Sequence, residues 1–312
     1  TYALYNVNGA LYLNGSALGG GGTSSGSAGA IQLADGAGGF VSTTTFNYST
    51  STNILTLGSL SNIIRIFAST TNAVTENLFV GQGAGNTASA NSGTNNVGVG
   101  SSVFTANTTG SNNTAIGFNS LTSNTTASNN VAVGYQTMAT NTTGYSNSAV
   151  GYRALYLNTT GYSNSAFGFE SLYNNTIGYT NLGIGTKSLY TNTTGNYNLA
   201  IGEEALQGNT TGSGNLAIGW QSMYTNTTGG NNSSYGIQSL YSNTSGGNNS
   251  AFGFNSLYGN TIGTNNSAFG IDSLMSNTTG INNSSFGMNS MFYNTTGQHN
   301  SAFGHEALFT SV

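Results

Sequence analysis

The sequence contains no cysteine and no proline, and only 3% of its residues are charged. Without cysteine the chain has neither disulfides nor thiolate metal ligands. Its basic residues are Arg65, Arg153 and Lys187, too few for the positively charged stripe that binds phosphates, so nucleic acid is not expected as a partner. No apolar run approaches the roughly 20 residues of a membrane-spanning helix, so membrane insertion is not expected either.

Glycine is abundant, with 47 residues, and Asn, Ser and Thr fill much of the rest. An ordinary globular domain is about 25% charged, so this composition is unusual. It does not match disorder, because 36% of the residues are hydrophobic, 11% are aromatic and the net charge is only −4. Uncharged polar side chains can hydrogen-bond to copies of themselves on neighbouring strands, whereas stacked charges repel. The composition therefore favours stacked β-structure.

A repeat of 17 residues organises most of the chain. One glycine recurs in this step from Gly100 to Gly304 without an insertion or deletion, and an Asn-Thr pair runs in phase with it from Asn107 to Asn294. The unit reads approximately N-S-A-F-G-x-x-S-L-Y-x-N-T-T-G-x-x. A period this strict indicates that each copy is one structural rung.

The residue types choose β over α for the rung. Gly, Asn and Thr are poor helix formers, and the apolar residues fall in two short bursts, as in Ser165–Gly168 and Ser171–Tyr173. Asn158–Gly161 is typical of a turn. We therefore expect two short strands and two turns per rung. The predicted fold class is all-β, a parallel β-solenoid (β-roll) with 17 residues per coil.

Two regions are expected. Residues 77–312 form the repeat shaft, and residues 1–76, which lack the period, form an irregular, β-rich attachment or linker region. Gly19–Gly29 within that region is typical of a flexible linker. Short strands are expected around it at Ala10–Leu13, Ala30–Leu33, Phe40–Ser42 and Asn53–Leu57.

Period-2 alternation assigns the faces of each burst. We expect Phe167 and its equivalents to point into the coil, with Ala166 on the other side, and Leu172 to point in with the next residue pointing out. The outward residue is often a tyrosine, and a ladder of such rings contacts either neighbouring chains of an oligomer or a glycan. The ladder consists of Tyr156, Tyr173, Tyr190, Tyr224, Tyr241 and Tyr258.

Asn-x-Ser/Thr sequons recur in the turns, and they suggest glycosylation as an alternative to a pure turn role. The candidate asparagines are Asn107, Asn124, Asn141, Asn158, Asn192, Asn209, Asn226, Asn243, Asn277 and Asn294.

No catalytic residue, metal site or cofactor is predicted, because the few carboxylates form no acid–base pair by spacing. The enzymatic alternative is a polysaccharide-degrading appendage. Its carboxylates would come from different chains, Glu170 from one and Glu203 or Glu204 from another.

The rung core, as in Asn113–Gly117 and Asn129–Gly134, resembles the head repeat of trimeric autotransporter adhesins. The longer unit, together with Gly29–Phe40, is similar to segments of phage tail-fibre proteins. These resemblances imply a homotrimer that binds a host surface and that is extracellular, on a cell surface or part of a virion. The tyrosine ladder adds a cell-surface glycan as an alternative ligand.

From the residues and the resemblance together we expect a structural, non-enzymatic fibre or shaft of an extracellular or virion appendage that serves surface attachment. The alternative is a subunit of an extracellular filament, glycosylated or not. Either way, a homo-oligomer is expected, as a trimer or a filament.

Overall fold

The computed structural model describes residues 77–85 and 93–310, together with the backbone of eight short strands that precede them. The chain divides into two compact units, Thr1–Val74 and Thr75–Val312. The strands of the first unit pair antiparallel in the orders β1-β2-β3, β4-β5 and β6-β7-β8. They are β1 (Leu4–Val7), β2 (Ala10–Leu13), β3 (Ser16–Ala17), β4 (Leu33–Ala34), β5 (Phe40–Val41), β6 (Phe46–Ser49), β7 (Ile54–Leu57) and β8 (Ile64–Phe67).

The expected strand at Ala10–Leu13 coincides with β2, and the one at Asn53–Leu57 contains β7. The expected strands at Ala30–Leu33 and Phe40–Ser42 overlap β4 and β5. The linker expected at Gly19–Gly29 lies outside the described residues.

The repeat array is a single 14-stranded parallel sheet whose strands follow chain order. From β10 onwards each strand pairs with the residues 17 positions further on, as Ser148 does with Ser165. The predicted parallel β-solenoid is therefore confirmed. Its strands are β9 (Leu78–Val80), β10 (Val97–Val99), β11 (Thr114–Ile116), β12 (Val131–Val133), β13 (Ser148–Val150), β14 (Ser165–Phe167), β15 (Leu182–Ile184), β16 (Leu199–Ile201), β17 (Leu216–Ile218), β18 (Ser233–Tyr235), β19 (Ser250–Phe252), β20 (Ser267–Phe269), β21 (Ser284–Phe286) and β22 (Ser301–Phe303).

The faces of these strands are the reverse of those expected. Ala166 is fully buried, whereas Phe167 is 39% exposed, so the prediction that Phe167 points into the coil was wrong. The physical reason is the narrow interior, in which a Cβ atom added at Gly183 would lie only 2.5 Å from the Ser171 Oγ. From β10 onwards the inward strand position accordingly holds only Ala, Gly or Ser.

The second burst points inward as expected but is not a strand. Leu172 is fully buried, yet Ser171–Tyr173 is a turn, so one strand forms per rung rather than two. Both Glu170 and Leu172 have a φ of 53°, a conformation that costs a bulky residue about 1–3 kcal/mol. Full burial of a leucine contributes about 1.5–3 kcal/mol. The Leu172 N–H also donates to the Ser188 carbonyl at 2.9 Å, so packing and hydrogen bonding together offset the strain.

The leucine position lines the core along the array. Its members are fully buried at every rung from Phe104 to Met291, and only Leu308 in the last described rung is 48% exposed. No helix that could cross a membrane occurs in the part of the chain that the structure describes.

Candidate interaction surface

Equivalent side chains of successive rungs stack into columns that run along the solenoid. The turn asparagine column comprises the residues from Asn107 to Asn294 in steps of 17. The Asn158 Nδ2 donates to the Asn141 Oδ1 at 2.7 Å and to the Gly161 carbonyl at 2.9 Å. Each Nδ2 in the column is committed to such bonds inside the rung stack.

All ten sequon asparagines are fully buried in this column. Glycosylation stays a prediction, and the burial of Nδ2 means that it would have to precede the folding of a rung. These asparagines are Asn107, Asn124, Asn141, Asn158, Asn192, Asn209, Asn226, Asn243, Asn277 and Asn294.

A second column, the core asparagine column, runs from Asn96 to Asn300 in steps of 17 and is buried as far as Asn283. The Asn164 N–H donates to the Asn147 Oδ1 at 2.9 Å, and the Asn164 Nδ2 donates to the Gly178 carbonyl at 2.8 Å. Sequence reasoning gave this column no role, although the signal was present, because the first residue of the unit is Asn in each of these rungs. The column holds each strand to the turn before the next strand.

The predicted tyrosine ladder lies on the outside as two separate stacks, interrupted at Gln207, and we call it the tyrosine column. Its six rings are half-buried. Ring centroids of neighbours lie 5.1 Å and 5.2 Å apart in the first stack, and 5.1 Å and 5.0 Å apart in the second. The first stack is Tyr156, Tyr173 and Tyr190, and the second is Tyr224, Tyr241 and Tyr258.

Stacking determines which ring atoms a ligand could reach. The planes of Tyr224, Tyr241 and Tyr258 are inclined by only 5° and 7° to one another, so the middle ring has a neighbour against each face. Such offset stacks contribute about 0.5–1.5 kcal/mol per pair. Contact with a glycan stays a prediction, and in mid-stack it would involve ring edges and hydroxyl groups rather than faces.

A more exposed row lies directly after the repeat glycine, and we call it the outer aromatic column. Phe118, Tyr135, Tyr152 and Phe169 stack with centroids 5.0–5.4 Å apart and are 38–45% exposed. Sequence reasoning missed this column. The signal was the recurrence of aromatic residues one position after the glycine in four successive units.

A charged column lies between these two rows. The Arg153 Cζ is 5.2 Å from the ring centre of Tyr152 in the outer aromatic column and 5.4 Å from that of Tyr156 in the tyrosine column. Between residues 93 and 310, all Asp, Glu, Lys and Arg side chains except Glu203 belong to this column. Its members are Ser102, Asn119, Gln136, Arg153, Glu170, Lys187, Glu204, Gln221, Gln238, Asn255, Asp272, Asn289 and Glu306.

Hydrogen bonds link several neighbours within the charged column. The Arg153 Nε donates to the Gln136 Oε1 at 2.8 Å. The Gln221 Nε2 donates to the Glu204 Oε2 at 2.8 Å. The column is therefore an ordered array of polar groups at rung spacing.

Two tyrosines beside this column have a raised pKa. Burial raises the pKa of Tyr173, and the nearby Arg153 charge lowers it to a lesser extent. Burial likewise raises the pKa of Tyr241. The phenols therefore stay neutral in the stack.

The described carboxylates form no evident catalytic pair. Glu170 and Glu204 belong to the same column with Lys187 between them, and Glu203 lies next to Glu204 in the outer aromatic column. No group of three or more metal-ligating side chains occurs among the described residues.

No protein-family model, no curated protein and no solved structure matches this chain. The β-solenoid architecture is established, and the resemblance to adhesin heads and tail fibres stays a prediction.

Proposed function

We propose that the chain is a structural fibre subunit, the shaft of an extracellular or virion appendage such as a tail fibre or an adhesin. The observation that carries this proposal is the 14-stranded sheet, in which each strand pairs only with the strands before and after it. In such an array every rung is supported by its neighbours, and each adds about 4.8 Å of length. A rod of this kind suits a spacer that holds a surface-attachment site away from its base.

The fibre is proposed to be a homo-oligomer, a trimer or a filament. Tyr135, Phe169, Trp220 and Phe254 are 43–45% exposed, and monomers rarely leave large apolar surfaces open to water. The low charge gives copies little repulsion to keep them apart. Burial of the outer aromatic column and the tyrosine column between copies is consistent with the exposed rings and with the low charge.

Sedimentation velocity and electron microscopy of the full chain test this proposal. We expect rods whose mass is a multiple of 31.7 kDa. A chain that stays monomeric at every concentration tested would contradict it.

The second candidate function is a subunit of an extracellular filament, and the charged column favours it. Its charges alternate in sign from Arg153 to Glu204, so two copies can meet side by side along it without like charges facing each other. Microscopy distinguishes the two candidates, because a filament grows with protein concentration and a shaft keeps a fixed length.

No catalytic role is proposed, since acid–base chemistry needs clustered ionisable groups. The rival function is polysaccharide cleavage by Glu170 of one copy with Glu203 or Glu204 of another. Incubation with a panel of polysaccharides separates the two. Release of reducing ends that disappears in the Glu170→Gln variant would establish the rival.

A further inference from the structure

The charged column carries an ordered charge pattern in the middle of the array. Arg153, Glu170, Lys187 and Glu204 occupy successive rungs, so the signs read plus, minus, plus, minus along the axis. Uncharged amides flank this run, with Gln136 before it and Gln221 after it. In reverse order the signs are minus, plus, minus, plus. A second copy that runs in the opposite direction therefore places an opposite charge against each of the four.

We propose that this face binds the same face of a second copy running antiparallel, with a two-fold axis between the rungs of Glu170 and Lys187. The inference rests on the proposed homo-oligomer. Of the two forms proposed for it, an antiparallel two-fold contact fits a filament built from paired chains and does not fit a trimer of parallel chains. A two-fold axis that lies in the interface and crosses the solenoid keeps each column opposite itself and reverses the order of rungs. Arg153 then faces Glu204 of the partner subunit, and Glu170 faces Lys187 of the partner subunit.

The flanking columns fit the same arrangement. In the outer aromatic column Tyr152 faces Glu203 of the partner subunit. This brings a phenol hydroxyl to the one carboxylate between residues 93 and 310 that lies outside the charged column. In the tyrosine column Tyr173 faces Tyr190 of the partner subunit. Across these three columns no like charges meet. The contact combines exposed aromatic area with opposite charges that define its register.

Parallel contacts through this face fit less well. In a parallel pair in register, Arg153 meets its own copy and so does each of the other charges, which is repulsive throughout. A shift by one rung pairs most of the charges but leaves Arg153 at one end and Glu204 at the other without an opposite charge. The antiparallel register alone pairs all four.

Alternation also reduces repulsion between neighbouring rungs of one chain, and a charge swap separates the two effects. The double variant Arg153→Glu, Glu204→Arg retains opposite charges across the antiparallel contact but places like charges on neighbouring rungs within the chain. In the single variant Arg153→Glu, the new glutamate faces Glu204 of the partner subunit. The two-fold axis makes this repulsive contact occur twice. We expect the single variant to weaken association by about tenfold or more and the double variant to restore it. No restoration would assign the pattern to the single chain and overturn the proposal.

Thiol cross-linking tests the geometry, because the chain has no cysteine of its own. Gln136 is expected to face Gln221 of the partner subunit, whereas two copies of Gln136 would be roughly 24 Å apart along the axis at about 4.8 Å per rung. The experiment uses the full-length variants Gln136→Cys and Gln221→Cys with a bifunctional maleimide of about 10 Å, the spacing of packed β-layers. We expect cross-linked dimers when the two variants are mixed and none from either variant alone.

Each other outcome is decisive. Dimers of Gln136→Cys with itself would show a parallel contact and overturn the inference while leaving the fibre proposal intact. If the protein forms oligomers but the mixed variants give no cross-link, the copies meet through another face and the inference is wrong. A chain that sediments as a monomer would remove both the inference and the proposed function.

Discussion

The interior and exterior columns of the same rungs differ in how much they vary. The core asparagine column keeps Asn from Asn96 to Asn300. The outer aromatic column changes from Phe118 to Thr186, Glu203 and Trp220 over the same array. The interior meets the requirements of the stack, which are identical at each rung. The exterior positions do not have to meet these stacking requirements. Their residues can therefore differ from rung to rung and determine contacts with other molecules.

Hydrogen bonding explains why the core asparagine column does not vary. The Asn198 Oδ1 accepts from the Asn215 backbone N–H at 3.0 Å, while the Asn198 Nδ2 donates to the Gly212 carbonyl at 2.9 Å. A buried backbone group left without its partner costs about 1–3 kcal/mol. No other side chain of this size offers the same donor and acceptor at once.

Among substitutions in the interior and the exterior, the largest loss of folding stability is expected at the repeat glycine. Gly202 has a φ of 137°, and an added Cβ would lie 2.5 Å from the Gly219 carbonyl oxygen. We expect Gly202→Ala to destabilise the array by about 3–5 kcal/mol, from backbone strain and overpacking. Urea unfolding followed by circular dichroism measures the change.

The matched control is Gly247→Ala. Its column holds Tyr145 and Tyr162 in other rungs, so a methyl group is expected to change stability by less than about 0.5 kcal/mol. Equal losses for the two glycines would contradict the account.

A buried amide is expected to matter slightly less. Asn198→Ala removes the acceptor for the Asn215 N–H, and we expect a loss of about 2–4 kcal/mol. Asn174→Ala is the control, because its column carries Gly208 and Gly259 in other rungs. Amide hydrogen exchange locates the effect. If protection at Asn215 were unchanged in Asn198→Ala, the column would not have the role given to it.

Substitutions on the exterior are expected to weaken assembly as well as folding. Replacing Tyr156, Tyr173 and Tyr190 together by Ser removes two ring contacts, with a loss of about 1–3 kcal/mol in folding. Self-association measured by sedimentation is expected to weaken at the same time. Lost binding to a polysaccharide with assembly intact would instead favour the glycan hypothesis.

Alkaline pH is expected to give the smallest effect. Burial raises the pKa of Tyr173 above its ordinary value of 10.0, so the folded array holds the phenol proton more tightly than the unfolded chain does. The resulting stabilisation is present below pH 10 and is lost as the pH rises through the folded-state pKa. Thermal unfolding as a function of pH checks this, and Tyr173→Phe should show a shallower loss. If the unchanged chain and Tyr173→Phe lost stability identically with pH, the raised pKa of Tyr173 would not be the cause.

The period and the inward leucine could be predicted from the sequence, because a strict repeat fixes equivalent environments and Leu172 alternates with polar neighbours. The inward strand residue could not be predicted from hydrophobicity, which chose Phe167 over Ala166. The better signal was uniform size, since a narrow interior tolerates only small side chains at one position. Apolar spacing also could not distinguish a strand from the turn at Ser171–Tyr173, in which Ser171 and Leu172 are both fully buried and Tyr173 is half-buried. The tyrosine column could be predicted from the sequence, whereas the outer aromatic column and the charged column emerged only once the rungs were stacked.

Cryo-electron microscopy of the assembled full-length protein tests the central claim most directly. We expect layers about 4.8 Å apart, with both asparagine columns inside each copy and the outer aromatic, charged and tyrosine columns between copies. Assemblies in which those outer columns face solvent, while another face joins the copies, would contradict the account.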